Sequence, residues 1–382
     1  MNILLFTDLY LPGFKGGGPI KTIKNLTEAT RSKDINYFIV CGDRDLGDKE
    51  QYSNIKLGVW NDVSGDKVLY LRKDFKGIMK MAELIWSKKF DIVYFNSFFS
   101  FFFTIVPFTL SFPVRLNKLI APRGELAPSA LTIKSLKKKI YILFFKTFYH
   151  HGKVFFQASS RYEKSDIESV FGTNCSTIIA PNITSFSNDR ELMPNLSNKL
   201  RLVFLSRVSR MKNLTFALEV LSMVDAQVEF LIYGPIEDLD YWKACREKVN
   251  SLPANISVKY KGTVDPVNVL DTLSQSDLFF LPTLGENYGH VITEAFCAGV
   301  PVLISDRTPW RGLREMGVGW DLPLEQPGLF ASVIKEMSSL TNEELMQMRR
   351  DVLAWAKARF SDGEVVRNNI NMFKEIVDNG ES

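Results

Sequence analysis

Short apolar runs alternate along this chain with longer stretches in which apolar residues recur every three or four positions. In the first half, NILLFTD (2–8), NYFIVCG (36–42), DIVYFNS (91–97), KLIAPRG (118–124) and KVFFQASS (153–160) predict strands, and PIKTIKNLTEAT (19–30) predicts a helix. The second half repeats the theme. Strands are predicted at KLRLVFLSR (199–207), AQVEFLIYG (226–234), NISVKYKG (255–262), DLFFLPT (277–283) and PVLISD (301–306). Helical spacing fills the intervals 214–224, 241–250, 267–276 and 291–299. Strands apolar throughout, alternating with helices, argue for parallel sheets covered on both faces. In such sheets ligands bind beyond the carboxyl ends of the strands. The polar stretch SFSNDRELMPNLSNK (185–199) is the natural hinge. The expectation is an α/β protein of two domains, 1–185 and 186–363, facing each other across a cleft. A terminal amphipathic helix, 364–382, is then free to pack back on the first domain.

Composition narrows the class. The chain has 382 residues, of which 46% are hydrophobic and 24% charged, as in folded globular proteins. A net charge of +4, from 47 basic and 43 acidic residues, does not point to nucleic acid. Four scattered cysteines (Cys41, Cys175, Cys245, Cys297) form no ligand pattern and suit a reducing, cytoplasmic compartment. The opening MNILLFTDLYLP lacks a basic leader region and reads as a core strand. FFSFFFTIVPFTLSFPV (98–114) is strongly apolar, but it is short and carries two prolines, whereas a spanning helix needs about 20 apolar residues. It is expected to pack in the core. TIKSLKKKIYILFFKTFYHHGKVFF (132–156) mixes cations and aromatics at helical spacing. Two readings stay open for it: a packed helix with a wet face, or adhesion to an anionic membrane surface.

Three stretches carry candidate chemistry. GFKGGGPIKTI (13–23) puts three glycines between a strand and a helix. It is either a flexible turn or a loop in which Gly17 and Gly18 border a phosphate or an acceptor hydroxyl. It does not match the dinucleotide fingerprint. SRVSRMKNL (206–214) places Arg207 and Lys212 across a strand–loop–helix junction. There they either form solvated surface charge or converge on a diphosphate, as fork and point charge respectively. In GENYGHVITEAFCAGVPVLISD (285–306), Glu286 falls in a loop and Glu294 one turn into a helix of otherwise apolar character. A carboxylate there needs a partner, either a protein group or a ligand hydroxyl.

On Glu286 and Glu294 in that setting, Arg207 with Lys212, the GGG loop, APRGELAP and TPWRGLREMGVGW, the chain resembles the retaining glycosyltransferases of the GT-B fold, family four, glycosyl transferases group 1. The resemblance implies two Rossmann-like domains. The second would bind a UDP or GDP sugar and the first a saccharide acceptor, often lipid-linked, in surface polysaccharide or lipopolysaccharide synthesis. It further implies that Arg207 and Lys212 hold the diphosphate, and that Tyr288, Gly289 and His290 contact phosphate or sugar through their amides. Glu294 would hold the ribose, Glu286 the transferred sugar, and Gly17 would approach the diphosphate. No cofactor and no obligate metal are implied. One departure stands out. Many relatives carry a histidine at the end of a first-domain strand, where this chain has Arg123. Arg123 and Glu125 are candidates for orienting donor phosphate or acceptor, and His290 is the one histidine left near the donor loop. Two alternatives share these motifs: a disaccharide phosphorylase of the same fold, and a non-catalytic nucleotide-sugar binder.

Overall fold

The computed structural model describes all residues except 33, 133–134, 150–152, 187–191, 193–197 and 382. His150, His151 and most of the predicted hinge lie outside the described residues. The chain divides into two compact units, Met1–Ile183 joined by Gly363–Ser382, and Thr184–Asp362. The final helix Glu364–Glu381 therefore belongs to the first unit, where Met372, Phe373 and Ile376 enter its core.

The first unit is built on an eight-stranded sheet. In chain order its strands are β1 (Asn2–Phe6), β2 (Asn36–Gly42), β3 (Trp60–Val63), β4 (Asp66–Leu71), β5 (Ile92–Phe95), β6 (Asn117–Ile120), β7 (Val154–Ala158) and β8 (Thr177–Ile179). Their spatial order is β3-β4-β2-β1-β5-β6-β7-β8. Only the edge strand β3 runs antiparallel to its neighbour. Residues of β1, β5, β6 and β7 alternate between two buried clusters, one on each face, which is why these strands read as continuous apolar runs.

The second unit holds a parallel sheet of β9 (Leu200–Leu205), β10 (Val228–Tyr233), β11 (Ile256–Tyr260), β12 (Leu278–Leu281), β13 (Val302–Ser305) and β14 (Gly319–Leu322), in the order β11-β10-β9-β12-β13-β14. One contiguous core surrounds it. The reversal of strand order falls at β9 and β12, the position where open α/β sheets bind ligands.

The aromatic stretch 98–114 is mostly core. It begins as a π-helical turn (Phe101–Ile105) and continues as a short helix (Val106–Leu110), with Phe98, Phe102, Phe103 and Phe108 buried. Phe98 packs on Phe145 and Phe171 with ring centroids at 4.9 and 5.6 Å. Among the described residues no helix is long and apolar enough to cross a membrane. The helix Ser135–Tyr149 buries Phe145 in that cluster, and its open side mixes exposed lysines, Lys137, Lys139 and Lys146, with exposed apolar residues. Leu136, Ile140 and Leu143 are 71%, 61% and 68% exposed, on one stripe at helical spacing.

Candidate functional site

The loop after β12 is fixed from two sides. Thr283 donates its hydroxyl to the Met211 carbonyl at 3.0 Å, and the Leu284 amide donates to the same oxygen at 2.8 Å. On the other side the Glu286 amide donates to the Arg307 carbonyl at 3.0 Å, and Ser305, at the end of β13, donates its hydroxyl to the Thr283 carbonyl. These bonds lay the GENYGH loop against the helical turn Arg210–Lys212 that follows β9. The consequence is a contact between residues far apart in sequence: the Lys212 ammonium pairs with Glu286 Oε1. Their side chains are only 11% and 14% exposed, so the pair is largely shielded from water and is not ordinary surface charge.

Arg207 goes elsewhere. Val208 forms a bridge with Ile236, which brings Arg207 Nη1 to 2.8 Å from Glu237 Oε2 in an exposed pair. Nearby, Arg210 reaches Asp238 at 3.1 Å, and Asp238 caps the helix Leu239–Asn250 by accepting from the Tyr241 amide. The two cations singled out in the sequence thus flank one loop region, each against its own carboxylate. Glu237 had no signal in the sequence beyond being an acidic residue after IYG.

The helix carrying Glu294 spans His290–Cys297 and opens on Gly289 at φ 75°, with no side-chain cap. Any side chain here would be strained by that φ and would sit 2.7 Å from Ile292 Cδ1. A glycine at the N-cap supplies no capping oxygen, and the partial positive charge of a helix N-terminus favours an anion. Ile292, Thr293, Ala295, Phe296 and Cys297 face the core. His290 and Glu294, four residues apart on one face, remain half-buried.

Tyr288 is turned inward. Its ring lies 4.9 Å from that of His290 and 5.7 Å from that of Trp310. Its hydroxyl hydrogen-bonds with Thr184 at 2.8 Å, and Thr184 reaches the Thr293 hydroxyl at 3.2 Å. Burial pushes the Tyr288 hydroxyl up to about 12, so it stays protonated near neutrality. Trp310 Nε1 donates to the Tyr288 carbonyl at 2.6 Å, which sets the peptide plane before Gly289. Trp310 lies in the TPWRG run that carried the resemblance, whereas Thr184 and Thr293 were not legible as site residues.

In the first unit, Gly17 ends the glycine loop as N-cap of the helix Gly18–Thr30, at φ 61° and with open space where a Cβ would point. The loop ahead of it is anchored by Asp45, whose Oδ2 accepts from the amides of Phe14 and Lys15 at 2.7 and 3.0 Å. This is a held loop rather than a slack one. Gly18 opens the helix beside Pro19. Arg123 follows β6, and its guanidinium is directed into its own unit, onto Asn96, Asn182, Tyr94 and Gln157. Glu125 is half-buried and accepts from the Phe98 and Phe99 amides at 2.6 and 2.9 Å and from the Ser97 hydroxyl. Burial raises its pKa above the usual carboxylate range, against the lowering effect of those three donors.

Residues 187–351, which include Arg207, Lys212 and the whole GENYGH segment, match the family described as glycosyl transferases group 1. A phosphatidyl-myo-inositol mannosyltransferase of Mycobacterium tuberculosis is 27% identical over 156 residues, a stretch that is 40% of this chain and 39% of that protein. The chain thus matches about two fifths of that relative's length. Among solved structures, Anabaena HepE in complex with UDP and glucose aligns over 99% of this chain and 100% of its own, at a TM-score of 0.71 and 18% identity. A sucrose-phosphate synthase from Thermosynechococcus elongatus aligns over 98% and 99% at 0.72 and 13%. The lipopolysaccharide outer core galactosyltransferase WaaB, in its apo form, aligns over 98% and 100% at 0.67 and 17%. The fold is that of the GT-B glycosyltransferases. At these identities the structural likeness speaks to fold, and activity has to be argued from the site.

Proposed function

We propose that this protein is a retaining glycosyltransferase of family four that moves a hexose or N-acetylhexosamine from a UDP or GDP sugar to a saccharide acceptor. The observation that carries it is the shielded Lys212–Glu286 pair beside the uncapped N-terminus of the His290–Cys297 helix. A lysine, an arginine on a neighbouring exposed pair, and a helix dipole suit a diphosphate leaving group, which needs its growing charge met as the glycosidic bond breaks. Among the described residues the Lys212 ammonium has Glu286 as its acceptor, and an ammonium has three N–H groups, so Glu286 can be held while a phosphate oxygen is engaged. Arg207 would exchange Glu237 for phosphate at little cost, because the pair is exposed. Glu286 would then meet a sugar hydroxyl, Glu294 the ribose, and the amides of residues 288–290 the phosphates or sugar. The bond from the anomeric carbon to the phosphate oxygen breaks and the acceptor oxygen takes its place on the same face. The acceptor proton passes to the departing phosphate, so no protein base and no obligate metal are needed in this scheme.

The test is a screen of UDP- and GDP-sugars with detection of released nucleoside diphosphate. Turnover of one donor class is expected, with the anomeric configuration kept in the product. Phosphorolysis of a disaccharide without nucleotide turnover would overturn the assignment in favour of a phosphorylase. Binding of a nucleotide sugar with no release under any acceptor would overturn it in favour of a non-catalytic binder.

We also propose that the acceptor is lipid-linked and that the protein works peripherally on an anionic membrane face, in surface polysaccharide or lipopolysaccharide synthesis. Support comes from the exposed stripe Leu136, Ile140 and Leu143 with Lys137, Lys139 and Lys146 on the same helix. Apolar side chains between lysines match the acyl boundary and head groups of anionic lipid. Ile140→Glu with Leu143→Glu is expected to abolish co-sedimentation with vesicles containing anionic lipid, and neutralising Lys137 and Lys139 to weaken it in a salt-dependent way. Co-sedimentation unchanged by both substitutions would show that this helix is not the contact.

A further inference from the structure

We propose that the carboxyl ends of β5 and β6 form an oxyanion seat whose donors are Arg123 and Asn96. On the transferase reading, its occupant is an acidic group, carboxylate or phosphate, on the acceptor saccharide.

Arg123 has φ 54° and Gly124 has φ 79°, so two successive residues sit in the left-handed region and the chain reverses at the end of β6. For a side chain with a Cβ this conformation is unfavourable and has to be held by its surroundings. The guanidinium does the holding. Nε donates to Asn96 Oδ1 at 2.8 Å, Nη1 to Asn182 Oδ1 at 2.5 Å, and Nη2 to the Tyr94 hydroxyl at 2.6 Å and to Gln157 Oε1 at 3.3 Å. All four acceptors are neutral. No carboxylate pairs with this half-buried cation among the described residues. The carboxylates of the same neighbourhood are committed to other donors. Glu163 accepts from Gly124 N and Ser159 N, and Glu125 from Ser97 and the amides of Phe98 and Phe99. A buried or half-buried arginine ordinarily acquires a counter-ion, so the charge here is short of one.

The second observation is independent of the charge. Asn96 is 5% exposed and its Nδ2 is buried with no hydrogen-bond partner. Its orientation is dictated by chemistry: Arg123 Nε–H can only donate, so Oδ1 must face it and the amino group must point away. A lone water would satisfy that N–H but not the charge. An oxyanion supplies both at once, with one oxygen on Nδ2 and its negative charge beside a guanidinium that still has one Nη1 N–H unengaged. Both groups lie just past β5 and β6, at the carboxyl end of a sheet that is parallel there, where ligands bind. Because both deficits have the same sign, the geometry favours an acid over a neutral sugar hydroxyl.

Asn96→Asp is the discriminating variant. It keeps an acceptor for Arg123 Nε and replaces the Nδ2 donor with a carboxylate oxygen that repels the ligand oxyanion. The full chain is titrated with glucuronate, with inorganic phosphate and with glucose at matched ionic strength, by calorimetry and thermal shift. The wild type should bind glucuronate or phosphate and not glucose. Asn96→Asp should unfold at the same or a higher temperature yet lose affinity for the anion about tenfold or more. Arg123→Gln should lose it too, and Arg123→Lys serves in its place if the glutamine variant does not fold. Binding of phosphate without glucuronate assigns the acid as a phosphate ester; the reverse assigns a uronate. No anion binding by the wild type, or equal binding by Asn96→Asp, overturns the seat. A nucleoside diphosphate that binds in place of both small anions, and is lost in Asn96→Asp, overturns the acceptor assignment. Nucleotide-sugar turnover is scored separately. If the anion binds and no donor is turned over, the transferase reading fails and the seat stands.

Discussion

Lys212→Ala is expected to lower kcat/KM for sugar transfer about 100-fold or more, the loss typical of removing one preorganised charge from a developing anion. The same change leaves Glu286, 14% exposed in the native pair, without its cation. An unpaired carboxylate in a shielded site costs about 1–3 kcal/mol of stability. The two effects can be separated because they have different remedies. Glu286→Gln removes the charge that Lys212 neutralises, so the double variant Lys212→Ala with Glu286→Gln should recover most of the lost stability. It should not recover transfer if Lys212 acts on the leaving diphosphate. Steady-state kinetics and chemical denaturation of the four proteins in the cycle give both numbers. An unchanged kcat/KM in Lys212→Ala would remove the residue from the chemistry and leave it a structural partner of Glu286.

The second large effect concerns stability and lies outside the site. Lys118 faces the aromatic core from β6, between Val93 on β5 and Val154 on β7, and is 3% exposed. Among the described residues its ammonium has one acceptor, the Leu116 carbonyl at 3.0 Å. Burial pushes its pKa down from 10.5 to about 8. Below pH 8 both folded and unfolded chains carry the proton, and the folded chain bears the full penalty of a buried charge. Between pH 8 and 10.5 the folded chain releases the proton first, the unfolded chain still binds it, and stability rises with pH. Lys118→Met, close in volume and without charge, is therefore expected to raise the unfolding free energy at pH 7 by about 2 kcal/mol, after allowing for the Leu116 carbonyl left without a donor. The advantage over the wild type should shrink as the pH approaches 10. Denaturant unfolding at pH 7 and pH 10 checks the sign. A destabilised variant at pH 7 would mean that the bond to Leu116 outweighs the cost of burial.

Much of the architecture was legible along the chain. Every strand expected from an apolar run is present, within a few residues of its predicted bounds, because interior strands of a parallel sheet are buried on both faces. The strands that escaped notice are β3, β4, β8 and β14. Three of these are sheet edges, and each is short or interrupted by polar residues, as in WNDV and GWDL, so no unbroken apolar run marks them. The helix Ser135–Tyr149 illustrates the opposite failure. Its periodicity was visible, but apolar residues recur on two sides of it, and only packing shows that Phe145 is taken by the core while Leu136, Ile140 and Leu143 are left outside.

The sequence by itself determined the class of the fold, the order of its main interior strands, and the loop-and-helix placement of Glu286 and Glu294. These follow from local rules: apolar periodicity, glycine where φ turns positive, and the cost of a carboxylate in an apolar helix. Tertiary structure decided which charges meet. Lys212 and Glu286 are 74 residues apart, and they pair because backbone and side-chain bonds from Thr283 and Leu284 to Met211 lock two loops together. Arg207, five residues before Lys212 and likewise a candidate phosphate ligand, is drawn to Glu237 by the Val208–Ile236 bridge. Arg123 is turned inward by a left-handed backbone that four neutral side chains, from three strands or strand ends and one loop, hold in place. Spacing along a chain sets what a residue can be. Which partner it finds depends on contacts that form only when distant segments close on one another, and no local pattern encodes them.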